Sequence, residues 1–108
     1  MRIDILTLFP NMFDGFIHES IIKRAIERGL IEINLINIRD FTLLKNGQVD
    51  DTPYGGGSGM VLMCEPVVRA IESVKTDDAK VYLMSPQGKV FNDFLAGTLY
   101  ESTKHFIL

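Results

Sequence analysis

The sequence predicts an α/β domain with a mostly parallel sheet flanked by helices. Short apolar or alternating stretches, typical of strands, are separated by stretches whose apolar residues recur at helical spacing. Their order is β-α-β-loop-α-β-α-β. The 108 residues, 46% of them hydrophobic and 23% charged, suffice for one domain with a core of its own. No repeat or low-complexity segment interrupts this pattern.

The first half of the chain contains two predicted strands around one helix. Residues 3–9 are nearly all apolar, as in a strand covered on both faces, and a short helical turn follows at residues 11–16. Ser20 is the predicted N-cap of a helix that Gly29 ends, since glycine is favoured just past a C-terminus. Residues 31–38 begin with alternating apolar and polar side chains, which predicts the second strand.

The second half begins with an aperiodic stretch at residues 43–58, and such long loops are usually functional or disordered. Pro66 lies in the first turn of a predicted helix. The residues of that helix predicted to face inward are Val67, Val68, Ile71 and Val74. Residues 79–84 form a predicted strand, Asn92 caps the last helix, and residues 104–108 begin another strand.

Composition and charge exclude several classes of protein. No apolar run approaches the ~20 residues that cross a bilayer, and the N-terminus lacks a cleavage signal, so we expect a cytoplasmic protein without membrane contact. The net charge of −3 argues against broad nonspecific nucleic-acid binding but leaves room for a local basic patch. Cys64 is the only cysteine, which excludes an intrachain disulfide and a thiolate metal cluster.

A glycine-rich segment is the most distinctive part of the chain. Four of the nine glycines lie within residues 55–59, directly after Asp50, Asp51 and Tyr54. The segment is neither a P-loop nor a dinucleotide fingerprint. It could be a flexible connection, or a loop that a planar or phosphorylated group approaches closely. The two aspartates could hydrogen-bond a base or cap the loop's own amides.

Residues 85–88, Ser-Pro-Gln-Gly, follow a predicted strand and therefore lie where the crevice of a parallel sheet opens. They could form an ordinary turn or the wall of a ligand site. His18 and His105 show no metal-ligand spacing, so we predict structural roles for both and no metal site. Cys64 is predicted to be a buried, inert thiol.

Four blocks in order resemble the N-terminal part of the bacterial tRNA (guanine-N1)-methyltransferases. They comprise residues 5–13, 38–42, 49–60 and 83–88, and the third is the most specific. The resemblance covers the whole chain. Ser58 stands where proline is common in the family, which changes loop stiffness rather than function.

The resemblance implies the N-terminal portion, residues 1–108, of a SPOUT-class methyltransferase domain, which binds S-adenosylmethionine in a deep trefoil knot. It also implies an obligate homodimer that methylates N1 of the guanine 3′ of the tRNA anticodon. The knot segment, the catalytic aspartate, its arginine partner and a tRNA-binding domain are expected beyond Leu108. No catalytic residue is therefore expected within the chain, and the fragment alone is expected to be inactive.

The resemblance also assigns binding residues. Cofactor contacts fall on Met84, Ser85, Pro86, Gln87 and Gly88. Contacts with tRNA and the target guanine fall on Asp50, Tyr54, Gly55, Gly56, Gly57, Ser58 and Gly59. A glycine loop suits this task because no side chain blocks a flipped base. The alternatives are a non-catalytic tRNA- or nucleotide-binding module and a domain that only dimerises.

Overall fold

The computed structural model describes residues 1–42, 50–51, 61–85 and 88–108, without the side chains of residues 50, 51 and 61. Four strands form one sheet, in the order β2-β1-β6-β5. They are β1 (Arg2–Thr7), β2 (Glu32–Asn37), β5 (Lys80–Val81) and β6 (His105–Ile107). The remaining strands, β3 (Asp50–Asp51) and β4 (Val61–Leu62), pair with each other. Every pairing in the four-stranded sheet is parallel, which confirms the predicted class.

Helices alternate with the strands. They are α1 (Asp14–Ile17), α2 (Ser20–Glu27), α3 (Cys64–Val74) and α4 (Asp93–Ser102). Two 3₁₀ turns, Pro10–Phe13 and Ile38–Phe41, precede α1 and follow β2. Of the helices in the described part of the chain, none is long and apolar enough to cross a membrane.

Strands β1 and β6 form the centre of the sheet. All three residues of β6 are buried, because β1 pairs on one side of it and β5 on the other. Asp4 lies opposite Ile107, and the Leu108 amide donates to the Asp4 carbonyl at 2.9 Å. The beginning and the end of the chain are therefore held together by the inner strands, an arrangement that only long-range pairing can produce.

The boundaries of α2 match the prediction at one end and differ at the other. The helix begins at Ser20 itself, the N-cap position is Glu19, and no side chain caps the helix. The predicted Ser20 cap is therefore wrong. Gly29 follows the C-cap residue Arg28 with φ of +71°, a conformation that costs glycine little and other residues more. The predicted end of this helix is confirmed.

Helix α3 packs against the 3₁₀ turn Ile38–Phe41 and against β1. Pro66 and Ala70 are buried on its inner face, whereas Val68 is exposed by 43%. The inward assignment of Val68 is therefore wrong. Buried Pro66 and Ala70 and half-buried Val74 follow one another at a spacing of four residues, and Val68 lies off that line.

Strand β5 is shorter than predicted. The sequence predicts a strand over residues 79–84, but only Lys80–Val81 pair, because β5 is an edge strand that meets the short β6 alone. The predicted cap of α4 is confirmed, since the Asn92 Oδ1 accepts a hydrogen bond from the Leu95 amide at 2.8 Å.

Candidate functional site

The carboxyl ends of β5 and β6 lie side by side at one edge of the sheet. The Tyr82 amide donates to the Ile107 carbonyl at 2.8 Å, and the Leu6 amide donates to the Leu108 carbonyl at 3.0 Å. The rings of Tyr82 and Phe106 pack with their centroids 6.0 Å apart. Ligands of open parallel sheets bind outside the carboxyl ends of the strands. The segment after β5 therefore enters the region where a ligand is expected.

This segment is exposed. Leu83 and Met84 are exposed by 91% and 74%, and their backbones form no hydrogen bond with another described residue. The Gly88 amide donates to the Ser85 carbonyl at 3.2 Å, which brings the two ends of the predicted turn together. Unpaired backbone groups beside apolar side chains suit a ligand that combines an aromatic ring with polar groups.

Gly88 is not required by the fold itself. A Cβ atom placed there would meet the Ser85 carbonyl oxygen at 3.4 Å, an ordinary contact. Gly29 has positive φ, whereas Gly88 does not. Among the described residues there is thus room for a methyl group at residue 88, and the absence of a side chain leaves that space to a ligand approaching the backbone.

Several predicted site residues lie outside the described part of the chain. Among the cofactor contacts these are Pro86 and Gln87. Among the tRNA contacts they are Tyr54, Gly55, Gly56, Gly57, Ser58 and Gly59. Asp50 is described by its backbone alone, which pairs with Leu62. The roles of all these residues stay predictions.

Strands β3 and β4 flank the glycine-rich segment. Asp50 pairs with Leu62 and Asp51 with Val61, in antiparallel register. Asp51 and Val61, the described residues on either side of the segment, are therefore adjacent. Strand β4 then leads through Met63 directly into α3.

Helix α3 relates this hairpin to the sheet. Beyond its last turn, the Thr76 hydroxyl lies 2.7 Å from Nδ1 of His105, at the amino end of β6. Eleven residues of helix span about 16 Å, so the first turn points toward the opposite, carboxyl edge. The helix also packs against Ile38–Phe41, which follow the carboxyl end of β2. This topology directs the hairpin and Ser85 to the same edge of the sheet.

Six large apolar side chains of the segment after β5, of the residues before α4 and of α4 itself are each exposed by at least 69%. We call them the apolar strip: Leu83, Met84, Val90, Phe91, Phe94 and Tyr100. A cavity of about 390 Å³ adjoins it between α4 and the sheet, lined in part by Phe91, Leu99 and Phe106. Exposed large apolar side chains concentrated in one part of a chain indicate a surface that binds another molecule or chain segment.

A wider hollow of about 550 Å³ lies at the amino edge, near Met1, Arg2 and Lys104. It mixes charged and apolar side chains, and none of the predicted cofactor contacts that the structure describes, Met84, Ser85 and Gly88, lines it. The carboxyl edge, which the exposed segment after β5 enters, is therefore the candidate site.

The isolated cysteine and the two histidines lie in different surroundings. Cys64 is exposed at the start of α3, so the prediction of a buried thiol is wrong, because the buried face of that helix begins only at Pro66. His18 is exposed, with Nδ1 at 2.7 Å from the Asp14 carbonyl. His105 is buried. Within the described residues, no group of three or more His, Cys, Asp or Glu residues could hold a metal ion.

Sequence reasoning missed one cluster entirely. Asp4 and His105 are both buried, with Asp4 Oδ2 and His105 Nε2 2.5 Å apart. The two residues are 101 positions apart in the chain. The one available signal was Asp4 itself, a charge inside an otherwise apolar strand, which requires a partner when buried.

The fold and this edge define an α/β domain that presents its candidate ligand site at the carboxyl ends of a parallel sheet. The model of the family described as tRNA (Guanine-1)-methyltransferase TrmD matches residues 1–108, the entire chain. The chain therefore belongs to this family, and the resemblance inferred from the four blocks is confirmed.

Proteins named tRNA (guanine-N(1)-)-methyltransferase are similar along the whole chain. That of Mycoplasma capricolum is 50% identical over 108 residues, which are 100% of this chain and 45% of the relative. That of Fusobacterium nucleatum is 51% identical over 108 residues, 100% of this chain and 44% of the relative. That of Carboxydothermus hydrogenoformans is 50% identical over 107 residues, which are 99% of this chain and 42% of the relative. The chain spans less than half the length of these relatives.

A solved structure agrees with the sequence comparison. The crystal structure of tRNA (m1G37) methyltransferase from Aquifex aeolicus matches with a TM-score of 0.80 and 33% identity. The match covers 99% of this chain and 49% of that chain. The α/β fold described above is thus similar to about half of that enzyme.

Proposed function

We propose that the protein to which these residues belong transfers a methyl group from S-adenosylmethionine to N1 of the guanine 3′ of the tRNA anticodon. The observation that carries the proposal is the family match over all of residues 1–108. The relatives are named tRNA (guanine-N(1)-)-methyltransferase, and the similar solved structure is described as a tRNA (m1G37) methyltransferase. Because the chain spans 45% of the Mycoplasma relative, the proposal applies to the complete enzyme.

Residues 84–88 form one wall of the proposed cofactor site. Met84 offers an exposed apolar side chain to an adenine ring, and the hydrogen bond from Gly88 to Ser85 supports the shape of the wall. Pro86 has no amide hydrogen, and Gln87 can both donate and accept. S-adenosylmethionine bound there supplies an electrophilic methyl group. The residue that takes the N1 proton is expected in the part of the family sequence that this chain does not span.

The glycine-rich segment is the proposed tRNA contact. Asp50 and Gly55–59, with Tyr54 and Ser58, would receive the target guanine. The pairing of β3 with β4 supports this role, because it brings together Asp51 and Val61, the residues on either side of the segment. A base must leave its stack to react, at a cost of a few kcal/mol, and glycine leaves the path to the methyl donor open.

A homodimer with a SPOUT-class knot belongs to the same proposal. The described residues leave the six side chains of the apolar strip largely uncovered, and large exposed apolar patches mark surfaces that bind another molecule. The remaining half of the enzyme and a second copy are the proposed cover. Since the proposed substrate is tRNA, a cytoplasmic location completes this assignment.

Methyl transfer by the complete enzyme tests the function. We expect it to move labelled methyl groups from S-adenosylmethionine to a tRNA transcript with guanine 3′ of the anticodon, and nucleoside analysis to identify 1-methylguanosine. A matched transcript with adenine at that position is the control and should accept none. Equal methylation of both transcripts, or of neither, would show that the proposed reaction is wrong.

A further inference from the structure

A buried charged cluster lies at the amino edge of the sheet, away from the proposed reaction. Asp4 of β1 is 0% exposed and His105 of β6 is 3% exposed. Their contact joins Asp4 Oδ2 to His105 Nε2 at 2.5 Å. Buried ionisable groups are costly unless they are paired, so the protons in this cluster must be distributed to give each polar atom a suitable partner.

The surroundings of Asp4 indicate an ionised carboxylate. Asn34 Nδ2 donates to Oδ1 at 2.9 Å, and Arg2 Nε lies 3.0 Å from Oδ2. The Arg2 contact is one of charge, because the buried Nε is not aligned for a hydrogen bond. With a donor beside one oxygen and a cation beside the other, both carboxylate oxygens of Asp4 are placed as acceptors. Nε2 of His105 is therefore the donor in the contact with Asp4.

The other ring nitrogen faces a hydroxyl whose single proton is already used. Thr76 Oγ1 lies 2.7 Å from His105 Nδ1 and donates to Asp78 Oδ1 at 2.8 Å. The hydrogen bond from Thr76 is the main cause of a lowered pKa of the Asp78 carboxyl. Burial raises that pKa, and the electrostatic interaction with His105 lowers it further. An ionised Asp78 can only accept. Nδ1 of His105 must then donate to Thr76.

We propose that His105 is doubly protonated in the folded protein and acts as the buried cation that fastens β6 both to β1 and to the turn before β5. The chain of contacts runs from the Asp4 carboxylate through the imidazolium and the Thr76 hydroxyl to the Asp78 carboxylate. Thr103 strengthens the same junction, since its hydroxyl bonds the Asp78 carbonyl at 2.5 Å and accepts from the His105 amide at 3.2 Å.

The charges that meet this cluster come from each neighbouring element. Strand β1 contributes Arg2 and Asp4, and the turn before β5 contributes Asp78. Strand β2 contributes Glu32, with Oε2 at 3.6 Å from Arg2 Nε. Among the described contacts, three carboxylates and one further cation thus belong to the cluster around His105.

A doubly protonated His105 gives the stability of the folded protein a defined dependence on pH. A proton held in the folded state by an ion pair stabilises the protein in mildly acidic to neutral solution, and that stabilisation is lost as rising pH removes the proton. The Asp78 carboxyl acts in the opposite sense, because its lowered pKa gives a stabilisation that is lost as falling pH protonates it. The junction is therefore strongest between these two limits.

Nitrogen NMR of the complete protein, labelled at histidine, tests the protonation state without any substitution. The chain has two histidines, so exposed His18 is an internal control. We expect both ring nitrogens of His105 to carry protons at neutral pH, with exposed His18 giving a separate reference signal. A single protonated nitrogen on His105 at neutral pH would overturn the proposal.

Variants test the ion pair itself. Asp4→Asn should raise the equilibrium constant of urea unfolding more than a hundredfold at pH 6, because it leaves a buried cation without its anion. It should also remove the alkaline loss of stability. The double variant with His105→Gln should cost less than the sum of the two single changes, and His18→Gln should change nothing. Additive losses of unfolding free energy in the double variant, or an unaltered pH dependence of stability in Asp4→Asn, would contradict the proposal. If the variants do not fold, the NMR measurement of His105 decides.

Discussion

Replacement of Ile107 by alanine is expected to destabilise the complete protein by about 2–5 kcal/mol. Ile107 is 0% exposed in the inner strand β6, opposite Asp4 on one side and Val81 on the other. Hydrogen-bonded backbones flank it on both sides, so its neighbours cannot close the cavity that alanine would leave. Urea unfolding measured at one pH gives the free energy directly.

Two matched changes show whether burial is the cause. Val81→Ala removes an aliphatic side chain that is 45% exposed in the edge strand β5, and it should cost at most about 1 kcal/mol. Ile107→Val should cost about 0.5–1.5 kcal/mol. If Ile107→Ala and Val81→Ala had equal effects, the central position of β6 would be wrong.

Gly88→Ala is expected to weaken S-adenosylmethionine binding by the complete enzyme about 10–100-fold and to leave its stability nearly unchanged. The fold accepts a Cβ atom at this position, 3.4 Å from the Ser85 carbonyl oxygen. A ligand lying against the backbone would meet the same methyl group, and such overpacking costs about 1–3 kcal/mol. Calorimetry gives the affinity and urea unfolding gives the stability.

Gly97→Ala is the matched control for this glycine change. Gly97 lies within α4, where a Cβ atom would have nothing within 4 Å. Alanine should stabilise that helix by about 0.5–1 kcal/mol and leave cofactor affinity unchanged. An unchanged affinity in Gly88→Ala, with both proteins folded, would remove Gly88 from the proposed cofactor wall.

Local signals predicted much of the fold. The end of α2 at Gly29 and the Asn92 cap of α4 depend on backbone geometry and on one side-chain hydrogen bond, which neighbouring residues determine. The prediction of Ser20 as the N-cap is wrong by one position, since Glu19 is the N-cap residue and its side chain makes no capping hydrogen bond. The family could also be recognised from the sequence, because each of the four blocks that resemble it is a contiguous stretch of residues.

Features that depend on long-range packing could not be predicted from the sequence. The length of β5 is set by its pairing with β6, and the inner face of α3 is set by the turn Ile38–Phe41 that it meets. That is why Val68 and Cys64 were assigned to the interior although both are exposed. The Asp4–His105 contact joins positions 101 apart, and neither residue alone indicates the other.

Calorimetry with S-adenosylmethionine tests the central claim most directly: that the cofactor site is completed by the part of the family sequence that this chain does not span. The 108-residue chain, once circular dichroism has established that it is folded, would be titrated beside the complete enzyme. We predict clear binding by the complete enzyme and none by the shorter chain. Tight binding by the 108-residue chain would contradict the account, because residues 84–88 would then belong to a self-sufficient site.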